Sequence, residues 1–221
     1  MATPEMIARD PAPAADQPAS RDNAKLRQIL EGARHVFLAN GFDGASMNDI
    51  ARIAGVSKGT LYVYFASKEA LFEALIREEK KQQAEQICDY DVEGDVRTVL
   101  RSWGRSLLGH MTRPESIAHI RIVIAVAPKF PSIGRTFDEA GPQYGLKKLA
   151  EYLAREVVAG NLDISDPAVA ARHFVMMCQG DIFRELLFCV QKEATQEVID
   201  RTVDAAVDTF FRAYGRAGQS A

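Results

Sequence analysis

The stretch Ser46-Met47-Asn48-Asp49-Ile50-Ala51-Arg52-Ile53-Ala54-Gly55-Val56-Ser57-Lys58-Gly59-Thr60-Leu61-Tyr62-Val63-Tyr64-Phe65 decides the reading of the whole chain. Ser46 followed three residues later by Asp49 makes a capping box: the serine oxygen accepts from an orphan amide, and the carboxylate favours the positive helix end. The short helix it opens turns Ile50, Ala51 and Ala54 inward and ends at Gly55, which tolerates the left-handed backbone of a tight turn. Val56 plugs the corner. Ser57 then caps a second short helix whose inward residues are Leu61 and Phe65. A small residue at the helix contact (Ala51), a glycine in the turn and aliphatics on either side satisfy a helix-turn-helix. Ser67 caps a third, longer helix running through Leu71, Leu75 and Ile76.

The outward face of the second helix is Lys58, Gly59, Thr60, Tyr62 and Tyr64. Thr60 and both tyrosines donate to phosphate oxygens in such a setting, Lys58 supplies charge, and Gly59 lets backbone approach backbone. Lys68 opens the next helix, where a phosphate meets an ammonium and a helix N-terminus together. The bland alternative is a helical hairpin with a polar outer face. Two exposed tyrosines beside a lysine and a threonine on one short helix are unusual for a merely solvated surface.

Gly41-Phe42, Ser46 to Gly55, Val56 to Phe65 and Ser67-Lys68-Glu69-Ala70-Leu71 together closely resemble the N-terminal domain of the TetR family of transcriptional regulators. The likeness covers about Asn23 to Gln83. It implies a homodimer that binds palindromic double-stranded operator DNA through the Ser57–Phe65 helix and usually represses. Carried over by position, Thr60, Tyr62, Tyr64 and Lys68 look like DNA-contacting residues, with Gly59 at the same surface and Ser46 and Lys58 as helpers. The family motif often has His where this chain has Tyr64.

Working outward, residues 1–22 read as a disordered arm, since the first twenty carry Pro4, Pro11, Pro13 and Pro18 and show no helical period. Leu26, Leu30, Ala33 and Phe37 then recur on one helix face that stops at Asn40-Gly41. No alternating strand pattern follows, so the fold class is all-α: a helix-turn-helix domain over 23–83, with the motif at 46–65, and a larger helical domain over 84–221. Helices are expected near 92–112, 115–128, 131–140, 142–159, 166–190 and 194–216. Gly160 closes one, and Asp166-Pro167 caps and opens another. The last two carry Phe174, Leu186, Leu187, Val198, Val203, Val207, Phe210 and Phe211, which a monomer would expose and a two-fold four-helix bundle would bury.

The second domain is larger than a reading head needs and is rich in aromatic and soft side chains, the composition of a small-molecule pocket. Candidate ligand-facing residues are Trp103, His110, Met111, Arg121, Phe137, Tyr144, His173, Met177 and Asp181. Each has core filling as its plainer role, and Arg121 and Asp181 must be paired, exposed or ligand-facing. The run Gly160-Asn161-Leu162, Asp166-Pro167, Ala170-Ala171 and Gly180-Asp181 also resembles, more weakly, the C-terminal domain of one TetR subgroup. A small-molecule effector follows as an expectation; control by a partner protein without a ligand, or activation in place of repression, is the alternative.

Competing chemistries find little footing. Gly55-Val56-Ser57-Lys58-Gly59 spells a nucleophile elbow, but a helix precedes the serine where a strand is required. Asp89-Tyr90-Asp91-Val92-Glu93-Gly94 opens like a calcium loop and then has Leu100 at the twelfth position. His110 and His119 lack metal spacing, and Cys178 and Cys189 read as buried small hydrophobes. No nucleophile–base pair, metal set, cofactor motif or membrane-length apolar run stands out, so a non-enzymatic, cytoplasmic protein without cofactor is expected. The 221-residue chain has 27 basic and 30 acidic residues, net −3, which as a whole disfavours nucleic acid. The average hides a gradient: residues 21–83 hold ten basic and eight acidic residues, and residues 84–221 hold sixteen and nineteen.

Overall fold

The computed structural model of the chain describes residues 18–88 and 94–216, with side chains over 22–83 and 94–216. The helical periods become α1 (Pro18–Gly44), α2 (Met47–Ile53), α3 (Lys58–Tyr64), α4 (Lys68–Cys88), α5 (Val96–Met111), α6 (Pro114–Val126) and α7 (Pro131–Asp138). A π-helical turn (Glu139–Gln143) then leads into α8 (Tyr144–Val158), followed by α9 (Pro167–Leu187) and α10 (Gln196–Tyr214). Among the described residues the sole β pairing is one bridge between Leu162 and Gly215. No helix there is long and apolar enough to cross a membrane.

The caps sit where the sequence puts them. Ser46 Oγ accepts from the Asp49 amide, Ser57 Oγ from Thr60 and Ser67 Oγ from Ala70. Asp166 Oδ1 accepts from Ala168 and Val169. Gly55 has φ +63°, the conformation that lets α2 turn into α3 within a few residues. Ile50, Ala51, Ala54, Leu61 and Phe65 are buried. α1 and α2 also meet closely at a glycine: a Cβ on Gly32 of α1 would stand 2.6 Å from Ala54 Cβ. Gly32 therefore sets how deeply α2 seats on α1.

Three features depart from expectation. Residues 18–22, assigned to the arm by composition, form the start of α1, because Pro18 at the first helical position has its φ preset and no amide to lose. The rest of the arm, and residues 89–93 of the acidic turn, lie outside the described residues. The two helices expected at 131–140 and 142–159 are joined: the wider π turn takes in Pro142, whose ring and missing amide an α-turn would not accept.

The third departure concerns the last two helices. Phe174, Leu186, Val203, Val207, Phe210 and Phe211 are buried within the chain's own core, under Val99, Leu100 and Trp103 of α5 and Leu149, Tyr152 and Leu153 of α8. Leu187 and Val198 are half-buried. A ladder of partly exposed ion pairs runs along the same contact. Arg97, Arg101 and Arg105 step by four along α5 and meet Asp208, Asp204 and Asp200 stepping back along α10. An isolated chain thus covers the face that the sequence pattern suggested it would expose. The large apolar side chains left in solvent nearby are Met176, Phe188 and Val190.

A second core fills the N-terminal region with Ile29, Val36, Phe37, Phe42, Leu61, Leu71 and Phe72. It is completed from beyond residue 84 by Val123 and Val126 of α6 and Ile133 of α7. The packing of the head therefore includes the larger domain, and α4 belongs to both.

Candidate nucleic-acid interface and effector cavity

Ser57 starts α3, and its burial of Leu61 alone among the helix's seven residues turns nearly the whole element outward. Lys58 and Gly59 are exposed, Thr60 is half-buried, and Tyr62 retains 45% of its surface. Lys58 Nζ lies 5.9 Å from the centre of the Tyr62 ring, so charge and phenol share one patch. Thr60 Oγ1 is 2.7 Å from Ser57 Oγ. Val63 is 83% exposed, an apolar side chain on the same helix that the sequence reading did not include.

The remaining head candidates already have partners. Ser46 Oγ donates to Asp49 Oδ2 at 2.6 Å, and with Arg52 it holds that carboxyl below its ordinary range. The Tyr64 hydroxyl donates to Asp22 Oδ1 at 3.2 Å, tying α3 to the start of α1. Desolvation, then the Asp22 carboxylate, raise the phenol's pKa. Lys68 directs its ammonium to the carbonyls of Phe42 at 2.7 Å and Ala45 at 3.0 Å, and lies 4.5 Å from the Phe42 ring centre. These carbonyls lie just after α1 breaks at Gly41 (φ +68°), so Lys68 closes the end of α1 while standing at the start of α4.

The larger domain contains a cavity of about 300 Å³. Its apolar wall includes Trp103, Leu107, Met111, Ile120, Phe137, Leu146, Val175 and Phe183. Its polar members are Lys80 and Gln83 from α4, His110, Ser116 and Gln179. Burial, aided by the positive charges of Arg113 and Lys80, lowers the His110 pKa to about 4, so the imidazole is neutral near pH 7. Burial likewise lowers Lys80 to about 8, opposed by Glu79. Trp103 Nε1 and His110 Nε2 are buried without a hydrogen-bond partner among the described residues.

Of the ligand-facing candidates, the structure brings together Trp103, His110, Met111 and Phe137. The others serve elsewhere. Arg121 donates to the carbonyls of Leu186 and Leu187, closing α9 by its charge. Asp181 pairs in solvent with Arg184 at 2.8 Å. Tyr144 lies at the surface, with Lys148 5.8 Å from its ring centre. His173 Nδ1 is 2.6 Å from the Tyr214 hydroxyl on an exposed face. Met177 packs on the core beneath α9, and its neighbour Met176 lines the cavity instead, one residue being a rotation of about 100° on a helix. Cys178 is buried, with its thiol pushed up to about 12, whereas Cys189 is exposed because α9 ends at Leu187.

Lys80 is the residue the sequence reading missed. Within Glu78-Glu79-Lys80-Lys81 it looks like part of a solvated face. The buried stripe of α4, Phe72 and Ile76, nevertheless reaches Lys80 in the next step of four. A second cleft beside the cavity shares Gln83, His110 and Ser116 with it and is lined by Arg34, Glu79 and His119. There Glu79 faces Arg34 of α1 at 3.1 Å and His119 of α6 at 2.9 Å, joining three helices.

Residues 29–75 match the family described as bacterial regulatory proteins, tetR family, and residues 98–216 match the AefR-like transcriptional repressor C-terminal domain. A TetR-family transcriptional regulator from Mesorhizobium loti superposes with a TM-score of 0.84 at 29% identity, over 89% of this chain and 99% of that one. The flavonoid-responsive regulator FrrA superposes with a TM-score of 0.77 at 32% identity, over 88% of this chain and all of that one (100%). The regulator UidR of Escherichia coli K12 is 36% identical over 37% of this chain and 46% of its own length. The repressor AcnR of Corynebacterium jeikeium is 33% identical over 34% of this chain and 40% of its own. The chain thus spans less than half the length of these two curated relatives. Matched in order through both its head and its larger domain, the chain belongs to the TetR family of transcriptional regulators, which are not enzymes.

Proposed function

We propose that this protein is a homodimeric repressor that binds a palindromic operator through α3 and is released when a small molecule fills the cavity. The carrying observation is the double membership of α4. Its first residue, Lys68, clasps the end of α1 in the head, and Lys80 and Gln83 on the same helix line the cavity. Occupying the cavity therefore acts on the helix that positions the head. A coupling of about 1–3 kcal/mol gives a 5- to 150-fold loss of operator affinity.

In this reading Lys58, Gly59, Thr60 and Tyr62 meet the DNA, with Tyr64, Ser46 and Lys68 holding α3 and the helix ends at the right height. The dimer is carried by α9 and α10, supported by the exposed apolar Phe188 and Val190 just past the end of α9. Two copies of α3 then reach successive major grooves about 34 Å apart. FrrA's response to flavonoids, which are aromatic, supports an aromatic effector for a cavity walled by Trp103 and Phe137.

Gel-shift titration against DNA from the protein's own promoter region tests this reading. Wild type should retard the fragment, and Tyr62→Ala should weaken binding at least tenfold with helix content unchanged. Absence of any shift by the wild-type protein, or full affinity in the Tyr62 variant at physiological salt, would overturn the assignment of α3.

A further inference from the structure

We propose that the cavity is built for an aromatic molecule carrying one anionic group, and that Lys80 reads that charge. The inference rests on the cavity being the effector site. The wall supplies flat apolar surface in Trp103, Phe137 and Phe183, suited to ring systems. The polar inventory is unbalanced. Among the described residues no Asp or Glu lines the cavity, whereas one ammonium does.

Of the three donors of Lys80, one is directed to Gln83 Oε1 at 2.8 Å, and the ammonium also lies 4.5 Å from the Phe137 ring centre. Trp103 Nε1 and His110 Nε2 have no partner among the described residues but are shut off from the open space of the cavity, which leaves the Lys80 ammonium as the charged donor facing it. A neutral apolar occupant would strip water from the remaining Lys80 donors without replacing it, the costly arrangement for buried polar atoms. A carboxylate offers acceptors for several donors at once and restores a charge pair to Lys80. The lysine stem is held for this role: a Cβ on Gly141 of the π turn would stand 2.9 Å from Lys80 Cδ, so the turn lies directly against it.

Matched probes decide the point. Trp103 is the chain's one tryptophan and lines the cavity, so quenching of its emission reports occupancy. Titration with 4-biphenylcarboxylate and with the uncharged isostere 4-biphenylcarboxamide should give at least tenfold tighter binding of the acid. Lys80→Met, which keeps the stem, should remove the acid's preference, lowering its affinity at least tenfold and the amide's by much less; Lys80→Arg should keep a preference for the acid. Equal affinity of acid and amide for wild type overturns the charge assignment while leaving the cavity as an effector site. Quenching by neither probe overturns the charge assignment and removes support for the cavity as a site for aromatic effectors. The wild-type comparison needs no variant to fold.

Discussion

The ammonium of Lys68 donates to the carbonyl oxygen of Phe42 at 2.7 Å, fastening the first turn of α4 to the place where α1 breaks. A hydrogen bond from a charged group contributes about 1.5–3 kcal/mol where it is sheltered, and this site is half-buried. Lys68→Met should lower stability by about 1–2 kcal/mol in urea unfolding and weaken operator binding with it. Unchanged stability with reduced DNA affinity would mean that the ammonium serves phosphate alone.

Gly32 is a mid-helix position where alanine would ordinarily gain about 1 kcal/mol of propensity. Here the added Cβ would meet Ala54 Cβ at 2.6 Å and Ala54 backbone atoms at 2.8 Å. Overpacking of this kind costs about 1–3 kcal/mol, so the clash wins. Gly32→Ala should lower the Tm and the operator affinity together. Because backbone is part of the clash, adding Ala54→Gly should not restore either. Recovery in the double variant would show that α2 is free to shift.

His110 is held neutral, its pKa lowered from 6.5 to about 4 chiefly by burial. Between those values the unfolded chain binds more protons than the folded one, so stability is lost as pH falls from 6.5 toward 4. Tm measured across this interval should fall less steeply for His110→Gln than for wild type. Parallel profiles would place the acid sensitivity on other groups.

Burial likewise disfavours the charged form of Lys80 in the protein without a ligand. Below pH 8 the buried ammonium disfavours folding, and between about 8 and 10.5 the unfolded chain holds the extra proton, so wild type gains stability as pH rises. The groups bearing on its charge are Glu79 on its own helix and the neutral His110 across the cavity. Ligand-free Lys80→Met should therefore be more stable than wild type at pH 7, with the gap closing by pH 10. A destabilised variant at pH 7 would show that the ammonium is well satisfied without ligand.

The head was legible in the sequence because its signals are local. Ser46, Ser57 and Ser67 cap helices through residues three positions away, and Gly55 turns the chain where it stands. The contact of Gly32 with Ala54 spans 22 positions, and nothing near Gly32 announces it. The same limit governed the cavity. Trp103, His110 and Met111 share a face of one helix and are found by periodicity. The choice of Met176 over Met177 depends on how α9 is rotated against its neighbours. The apolar faces of α9 and α10 were read as unpartnered because their cover, α5, begins 71 residues before α9 and 100 before α10. The Arg97, Arg101 and Arg105 series and its aspartate counterpart were visible as two separate four-residue repeats.

The double membership of α4 has a mechanical side. Twelve residues separate Lys68 from Lys80, about 18 Å of helix at 1.5 Å per residue. Pivoting this rod by about 5° at its cavity end carries the other end sideways by about 1.6 Å. The span of good hydrogen-bond lengths is only about 0.5 Å. A swing of this size is thus about three times what a single hydrogen bond from α3 to a phosphate would tolerate. Were the cavity to control DNA binding as proposed, leverage along one stiff helix would let a small displacement beside it act on the head.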